Sequence, residues 1–192
     1  MVFTCNQRHD GRGTFWKDLM TYAREARDDG HILRPVVAPR PIGVMLGLNG
    51  SQNPFSGTPT YRSIEHLPLD QRVKTMSQPD IRAKILSEDP VKQSTFPLIH
   101  RILFTQMFRL GSPANYTPSP EESISAMAQN LGVTPQEMAY DILLENQGRE
   151  FIYAPLVNYA NYTMDACAEM LDDTYSIMGL GDGGAHVGFI LD

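Results

Sequence analysis

The chain has 192 residues, of which 42% are hydrophobic and 20% charged, and its formal net charge is −6 at pH 7. This size and composition are typical of one globular domain with a real core. The acidic balance, without a basic run, argues against nucleic acid or an anionic membrane as the main partner, and the absence of an apolar stretch of about 18 residues excludes a membrane-spanning sequence of the usual kind.

The first part of the chain follows a strand–helix–strand pattern. Residues 1–5 and 32–38 are apolar runs that predict short strands. Between them, Gly30 ends a predicted helix that begins near Thr14, with apolar residues at helical spacing: Phe15, Leu19, Tyr22, Ala23 and Ala26. A strand–helix–strand unit of this kind predicts parallel pairing of its two strands.

The next part is less regular. Residues 42–48 are apolar, but they contain too much glycine to predict a regular strand. Residues 49–61 predict a long loop, either a lid or substrate contact or a plain surface excursion. The charged segment at about 63–95 predicts a helical insertion packed outside the main fold, with Pro79 in a first helical turn.

Two helices carry clear start and stop sequences. Ser119 with Glu122, and Thr134 with Glu137, have the spacing of capping boxes. Gly132 and a second glycine at position 148 predict the corresponding helix ends. Residues 98–104, upstream of both helices, predict another strand.

The chain closes with a strand, a helix and a strand, predicted at 151–154, 163–171 and 176–180. The last strand runs into glycines that flank Asp182 and precede His186. Strands alternating with helices over this length predict an α/β fold. An acidic residue directly after a strand is where α/β barrels place catalytic groups, although a glycine-rich turn with an Asx-turn aspartate has the same local sequence.

Three stretches together resemble the amidohydrolase superfamily, and within it the N-acyl-D-amino-acid deacylases (D-aminoacylases) of the amidohydrolase-3 family. Residues 11–16, Gly-Arg-Gly-Thr-Phe-Trp, are similar to the loop after the sixth barrel strand, and residues 36–43 to the seventh strand. The segment 119–186 is similar to the approach to the eighth. The resemblance implies an α/β fold that is the C-terminal part of a (β/α)8 TIM-type barrel, about strands six to eight, incomplete at both ends and spanning residues 1–192.

The resemblance also implies a metal site at the mouth of the barrel. The family uses one or two divalent ions, usually zinc, and Asp182 matches its aspartate at the end of the eighth strand, which contacts the metal and transfers the proton. Most other ligands would lie outside these residues. Arg40 matches a position that contacts the substrate carboxylate, and Arg8 is a similar candidate, whereas a surface arginine between two prolines is the alternative for position 40.

One ligand position departs from the family pattern. The sixth strand normally supplies a histidine, and by spacing that position is Asn6, a poor zinc ligand. Either His9 serves instead or the metal site is altered. His186 is expected either to contact Asp182 and hold its orientation or to be a later loop residue. Three other histidines are expected to have no functional role: His31, His66 and His100.

These features predict a hydrolase that acts on a non-peptide amide C–N bond, such as that of an N-acyl-D-amino acid. The alternatives are a cyclic-amide hydrolase of the dihydroorotase or hydantoinase type, or a barrel relative that binds a ligand without turnover. Two cysteines far apart, Cys5 and Cys167, predict neither a disulfide framework nor a cysteine zinc site. Without a recognisable signal peptide, a cytoplasmic location is expected.

Both ends of the chain fall within apolar segments, which predicts that the chain is a piece of a longer protein. A barrel of this type needs about 250 residues. A partial barrel exposes open sheet edges, which promote aggregation. We therefore expect the 192 residues alone to be inactive and poorly soluble.

Overall fold

The computed structural model describes residues 1–8, 13–90 and 102–179, and the backbone of a short strand at 190–191. The chain divides into two compact units: residues 1–44 with 155–186 and 191–192, and residues 45–154 with 187–190. The described part of the predicted insertion at 63–95, residues 63–90, lies in the second unit. The strands are β1 (Val2–Thr4), β2 (Arg34–Val37), β3 (Ile42–Gly47), β4 (Phe108–Arg109), β5 (Phe151–Val157), β6 (Ile177–Met178) and β7 (Ile190–Leu191). The helices are α1 (Phe15–Asp28), α2 (Pro59–Ile64), α3 (Leu69–Met76), α4 (Pro79–Ser87), α5 (Ile124–Leu131), α6 (Pro135–Gly148) and α7 (Asp165–Leu171).

The first unit is built on a three-stranded parallel sheet in the order β1-β2-β6. Thr4 pairs with Val36, and Val36 pairs in turn with Ile177. The parallel pairing predicted for the first strand–helix–strand unit is confirmed, and β6 joins the same sheet. Gly179, directly after β6, continues the ladder by donating its N–H to the carbonyl of Val37 at 2.9 Å.

Helix α1 covers this sheet with a face that matches the predicted one in part, since Ala23 is buried and Leu19 packs against the core. The buried residues are Trp16, Met20 and Ala23, whereas Phe15 is 44% and Tyr22 60% exposed. The sequence contains two apolar stripes offset by about one residue, and the buried stripe has the spacing i, i+4, i+7. Trp16 and Met20 pack in a core cluster that also contains buried residues of other elements: Cys5, Val37, Ala166, Cys167 and Met170.

The second sheet has the order β4-β5-β3-β7, with β4 and β5 antiparallel. The expectation that glycine would prevent a regular strand at 42–48 is wrong, because β3 spans most of that segment. Gly47 has a packing reason instead: a Cβ at this position would lie 2.6 Å from the ring of Phe151. Glycine in a strand allows this close approach of a neighbouring ring.

The segment predicted as a loop at 49–61 is more ordered than expected. The side chain of Asn53 accepts a hydrogen bond from Phe55 N at 2.9 Å, and Thr58 caps α2 by accepting from Tyr61 N. Both polar side chains are buried. The loop is therefore held by its own hydrogen bonds and passes into a helix before residue 61. Helices α3 and α4 follow, with Pro79 in the first turn of α4 as predicted.

The capped helices form as predicted, with one difference. Thr134 and Glu137 make a complete capping box at the start of α6. Ser119 and Glu122 make the same box, but it encloses only a short 3-10 turn, and Ser123 caps the separate helix α5. Of the strand predicted at 98–104, residues 98–101 lie outside the described residues, and Phe104 begins another 3-10 turn.

The chain is thus a mixed α/β protein of helices and small sheets, as predicted at the level of fold class. Within the ranges described, the strands do not close into a barrel. None of the helices in those ranges is both long enough and apolar enough to span a bilayer.

Candidate functional site

The carboxyl ends of the three parallel strands share one edge of the sheet in the first unit. Residues 5–8 follow β1, residues 38–41 follow β2, and Gly179 follows β6. Because parallel strands end at the same edge, the residues after them are brought together there. The candidates Asn6, Arg8 and Arg40 all belong to these segments.

Two buried amide side chains join the segments at this edge, and we call Gln7 and Asn158 the amide cluster. Gln7 is 7% exposed and Asn158 is 0% exposed. The Oδ1 atom of Asn158 accepts a hydrogen bond from the N–H of Gln7 at 2.9 Å, and the N–H of Asn158 donates to the Gln7 carbonyl at 2.8 Å. The side chain of Gln7 accepts from the N–H of Ala160 at 3.1 Å.

The remaining polar atom of Asn158 reaches the segment after β2. Its Nδ2 donates to the carbonyl of Ala38 at 3.3 Å and to that of Arg40 at 3.4 Å. The side-chain amide therefore uses its oxygen and both of its N–H groups, which is the arrangement expected for a fully buried asparagine. One side chain connects the segments after β1, β2 and β5.

The backbone at Asn158 is left-handed, with φ = 64°, and Tyr162 is left-handed as well, with φ = 57°. Few non-glycine residues adopt this conformation, although asparagine does so more readily than most. Such residues cost about 1–3 kcal/mol and persist where the surroundings hold them, often at ligand sites. Residues 158–162, directly after β5, form a loop that is held in an uncommon conformation near both of its ends.

Two predicted residues, Arg8 and Arg40, belong to the segments that the amide cluster joins. Arg8 is exposed and forms an isolated antiparallel bridge with Val157, while Arg40 is half-buried and its carbonyl is bound by Asn158. The side chain of Asn158 therefore binds the carbonyl of Arg40 itself and the N–H of Gln7, the residue before Arg8. Arginine side chains are the donors that bind a carboxylate in bidentate fashion, and both of these residues follow strands that end at this edge.

The floor beneath this edge is apolar. Cys167 is buried and its Sγ donates to the carbonyl of Ala38, which also accepts from Asn158. Burial raises the pKa of the Cys5 thiol to about 11 and raises the pKa of Cys167 as well. Both thiols stay protonated near neutral pH, so neither is suited to be a nucleophile or a metal ligand.

Asn6 lies beside the amide cluster. Its side chain is half-buried, and its Oδ1 atom is fully buried and accepts no hydrogen bond from the described residues. A single amide oxygen is a weak ligand for zinc. Within the described ranges, no three His, Cys, Asp or Glu side chains are grouped so that they could hold a metal ion. These residues alone thus do not make a metal site.

The other predicted site residues are outside the part of the chain that the structure describes. They are Asp182, His186, His9 and, among the histidines expected to be ordinary, His100. His31 and His66 are described and are exposed. The proton-transfer and metal predictions for Asp182 therefore stay predictions.

Gln7 and Asn158 were not predicted from the sequence. The local pattern contained a partial indication, because an asparagine directly after the apolar run of β5 is typical of a left-handed position. The hydrogen bonds between them join residues 151 positions apart, a separation at which spacing rules give no information.

Searches for a matching protein-family model, for a similar curated protein and for a similar solved structure found no match to this chain.

Proposed function

We propose that this chain is the C-terminal part of a metal-dependent amidohydrolase, which hydrolyses a non-peptide amide C–N bond such as that of an N-acyl-D-amino acid. The parallel sheet β1-β2-β6 carries the proposal. Its three strands stand side by side in chain order, which is the order expected of the sixth, seventh and eighth strands of a (β/α)8 barrel. The segments matched to those strands by resemblance are the ones that pair.

The positions of the candidate residues support the same proposal. Arg8 follows β1 and Arg40 follows β2, and Asp182 comes four residues after Met178, the last residue of β6, in the sequence. In barrels of this class the chemistry takes place at the carboxyl ends of the strands. We assign to Arg8 and Arg40 the binding of the substrate carboxylate and to Asp182 the transfer of a proton.

The reaction adds water to the acyl carbon and breaks the C–N bond, giving a carboxylic acid and a free amino acid. Zinc, when bound, would polarise the acyl carbonyl and lower the pKa of the attacking water. Asp182 accepts a proton from that water and donates it to the leaving nitrogen, a role that contributes about 10²–10⁴-fold. The arginines hold the carboxylate so that the acyl group faces Asp182.

Most metal ligands in this proposal come from parts of the protein outside the described residues. By spacing, Asn6 matches the position at which the family carries a histidine, with His9 as the alternative, and the buried amide oxygen of Asn6 is a weak substitute. This observation favours the second candidate, a barrel relative that binds an N-acyl amino acid without turnover. Metal content and turnover separate the two.

The test uses the complete protein that contains this chain, reconstituted with zinc. The substrates are N-acetyl-D-amino acids, their L enantiomers, hydantoin and dihydroorotate, and the release of free amine or ring-opened product is measured. We expect release from the D substrates and a loss of at least about 100-fold in Asp182→Asn. The matched control is Asp172→Asn, an exposed aspartate ahead of β6, which should retain activity.

Each outcome decides between the candidates. Bound zinc with preferential opening of the cyclic substrates would replace the deacylase by the cyclic-amide hydrolase. Binding of the N-acyl amino acid without zinc and without product would establish the non-catalytic relative. Full activity in Asp182→Asn would overturn the role assigned to that carboxylate.

A further inference from the structure

The buried asparagine at the sheet edge combines a left-handed backbone with side-chain hydrogen bonds to two other segments. We propose that Asn158 is a positioning residue for substrate recognition, which sets the distance between Arg8 and Arg40 and so the ability of the site to select a carboxylate. This inference rests on the proposed function. It adds a residue that neither the sequence pattern nor the resemblance assigned.

The pairing of β1 with β2 ends before it reaches Arg8 and Arg40. The ladder between β1 and β2 continues to the hydrogen bond from Cys5 N to the carbonyl of Val36. Beyond it, the amide of Asn158 binds the N–H of Gln7 on one side and the carbonyl of Arg40 on the other. The asparagine thus bridges the two segments at the point where the regular pairing stops.

Asn158 makes these hydrogen bonds to backbone groups at or next to the two arginines. Asn158 holds the N–H of Gln7, adjacent to Arg8, and the carbonyl of Arg40 itself. The side chains of both arginines extend from a backbone that the asparagine fixes. A change at position 158 would therefore shift both guanidinium groups without removing either charge, and a shift of about 1 Å can cost about 100-fold in rate.

Several interactions hold Asn158 in its observed conformation. Loss of the amide would leave the buried N–H of Gln7 and the carbonyl of Arg40 without this partner, and buried unsatisfied groups are costly. The left-handed φ of 64° adds strain that the hydrogen bonds hold in place. Gln7 reinforces the arrangement through Ala160, on the far side of the same loop.

The test separates the amide from the backbone conformation. Asn158→Gly keeps the left-handed φ, which glycine adopts readily, and removes all three side-chain hydrogen bonds. Asn161→Gly is the matched control, because Asn161 is exposed in the same loop. Both variants are made in the complete protein, and their melting temperatures are recorded so that a simple loss of folding is detected.

The measured quantity is discrimination between an N-acetyl-D-amino acid and its primary amide, which lacks the carboxylate charge. We expect Asn158→Gly to lower the ratio of kcat/KM for the two substrates about tenfold, mainly by raising KM for the acid. Asn161→Gly should leave the ratio unchanged. If Asn158 had a purely structural role, kcat/KM would fall by the same factor for both substrates. An unchanged ratio in a folded Asn158→Gly protein would therefore overturn the inference.

A binding measurement keeps this inference separate from the proposed function. Calorimetry on the metal-free protein gives dissociation constants for the acid and the amide, and their ratio should fall in Asn158→Gly by a similar factor. If the wild type binds the acid selectively but hydrolyses nothing, the proposed hydrolase fails while the role of Asn158 is still measured. Should Asn158→Gly not fold, Gln7→Ala, which removes the buried side chain that accepts from Ala160, should lower the ratio about threefold, and no change would contradict the proposal.

Discussion

Replacement of Gly148 by alanine should be among the most damaging small changes in the second unit. The residue ends α6 with φ = 80°, and a Cβ there would lie 2.5 Å from Val73 Cγ2 and 3.1 Å from Leu69 Cδ1. The left-handed backbone costs an alanine about 1–2 kcal/mol, and the added methyl in a filled space costs about 1–3 kcal/mol more. We expect Gly148→Ala to lower the free energy of unfolding by about 2–5 kcal/mol.

The control for this change is Gly132→Ala. Gly132 ends α5 with φ = 69°, and a Cβ at that position would meet no atom within 4 Å. Gly132→Ala should therefore lower the free energy of unfolding by the cost of the left-handed backbone alone, about 1–2 kcal/mol. The difference between the two variants isolates the contact with α3.

The assay is urea unfolding of the complete protein, followed by a spectroscopic signal and by limited proteolysis. A double variant sharpens the test: Val73→Ala removes the nearest methyl, so Gly148→Ala should be less destabilising by about 1 kcal/mol or more in that background. Equal losses in Gly148→Ala and Gly132→Ala, or no coupling to Val73, would refute this reasoning.

Two further predictions concern ionisable groups. The N–H and hydroxyl of Thr134 hold the pKa of Glu137 below its ordinary value, so its contribution to stability is present above the ordinary glutamate pKa and is lost as the pH falls through the lowered one. Glu137→Ala should therefore lower Tm at neutral pH, with a difference from the wild type that narrows in acid; a constant difference would contradict this. Burial raises the pKa of Cys5 to about 11 and raises that of Cys167, so we expect iodoacetamide to modify both thiols in denaturant and neither in the native protein near neutral pH, as mass spectrometry would show.

Sequence reasoning succeeded where neighbouring residues determine the structure. The capping box of Thr134 and Glu137 was predicted because its donors and acceptors lie within one helical turn. The parallel pairing of β1 and β2 followed from the strand–helix–strand unit, whose connection permits no antiparallel hairpin. In each case the deciding interactions are local or follow from chain topology.

It failed where the partner is distant in sequence. The buried face of α1 depended on which of two offset apolar stripes meets the sheet, and the one containing Trp16 is used. Gly47 looked like an interruption of a strand because the ring of Phe151, which requires it, comes much later in the chain. For the candidate site, Arg8 and Arg40 stay predictions, and Asn158, whose side chain joins their segments, was not predicted.

The sheet of the first unit has a consequence for the order in which the protein is synthesised. Strand β2 pairs with β6, yet all of residues 45–154 are translated between them. Domains generally fold as units while the chain emerges, so residues 45–154, the larger part of the second unit, can begin to pack while β2 still lacks β6 as a neighbour. A folded segment between the two strands also shortens the flexible chain that must close, which lowers the entropic cost of the pairing. A chain that ends before residue 177 would thus leave β2 with β1 as its neighbour in the first sheet, and would also lack β7 of the second sheet.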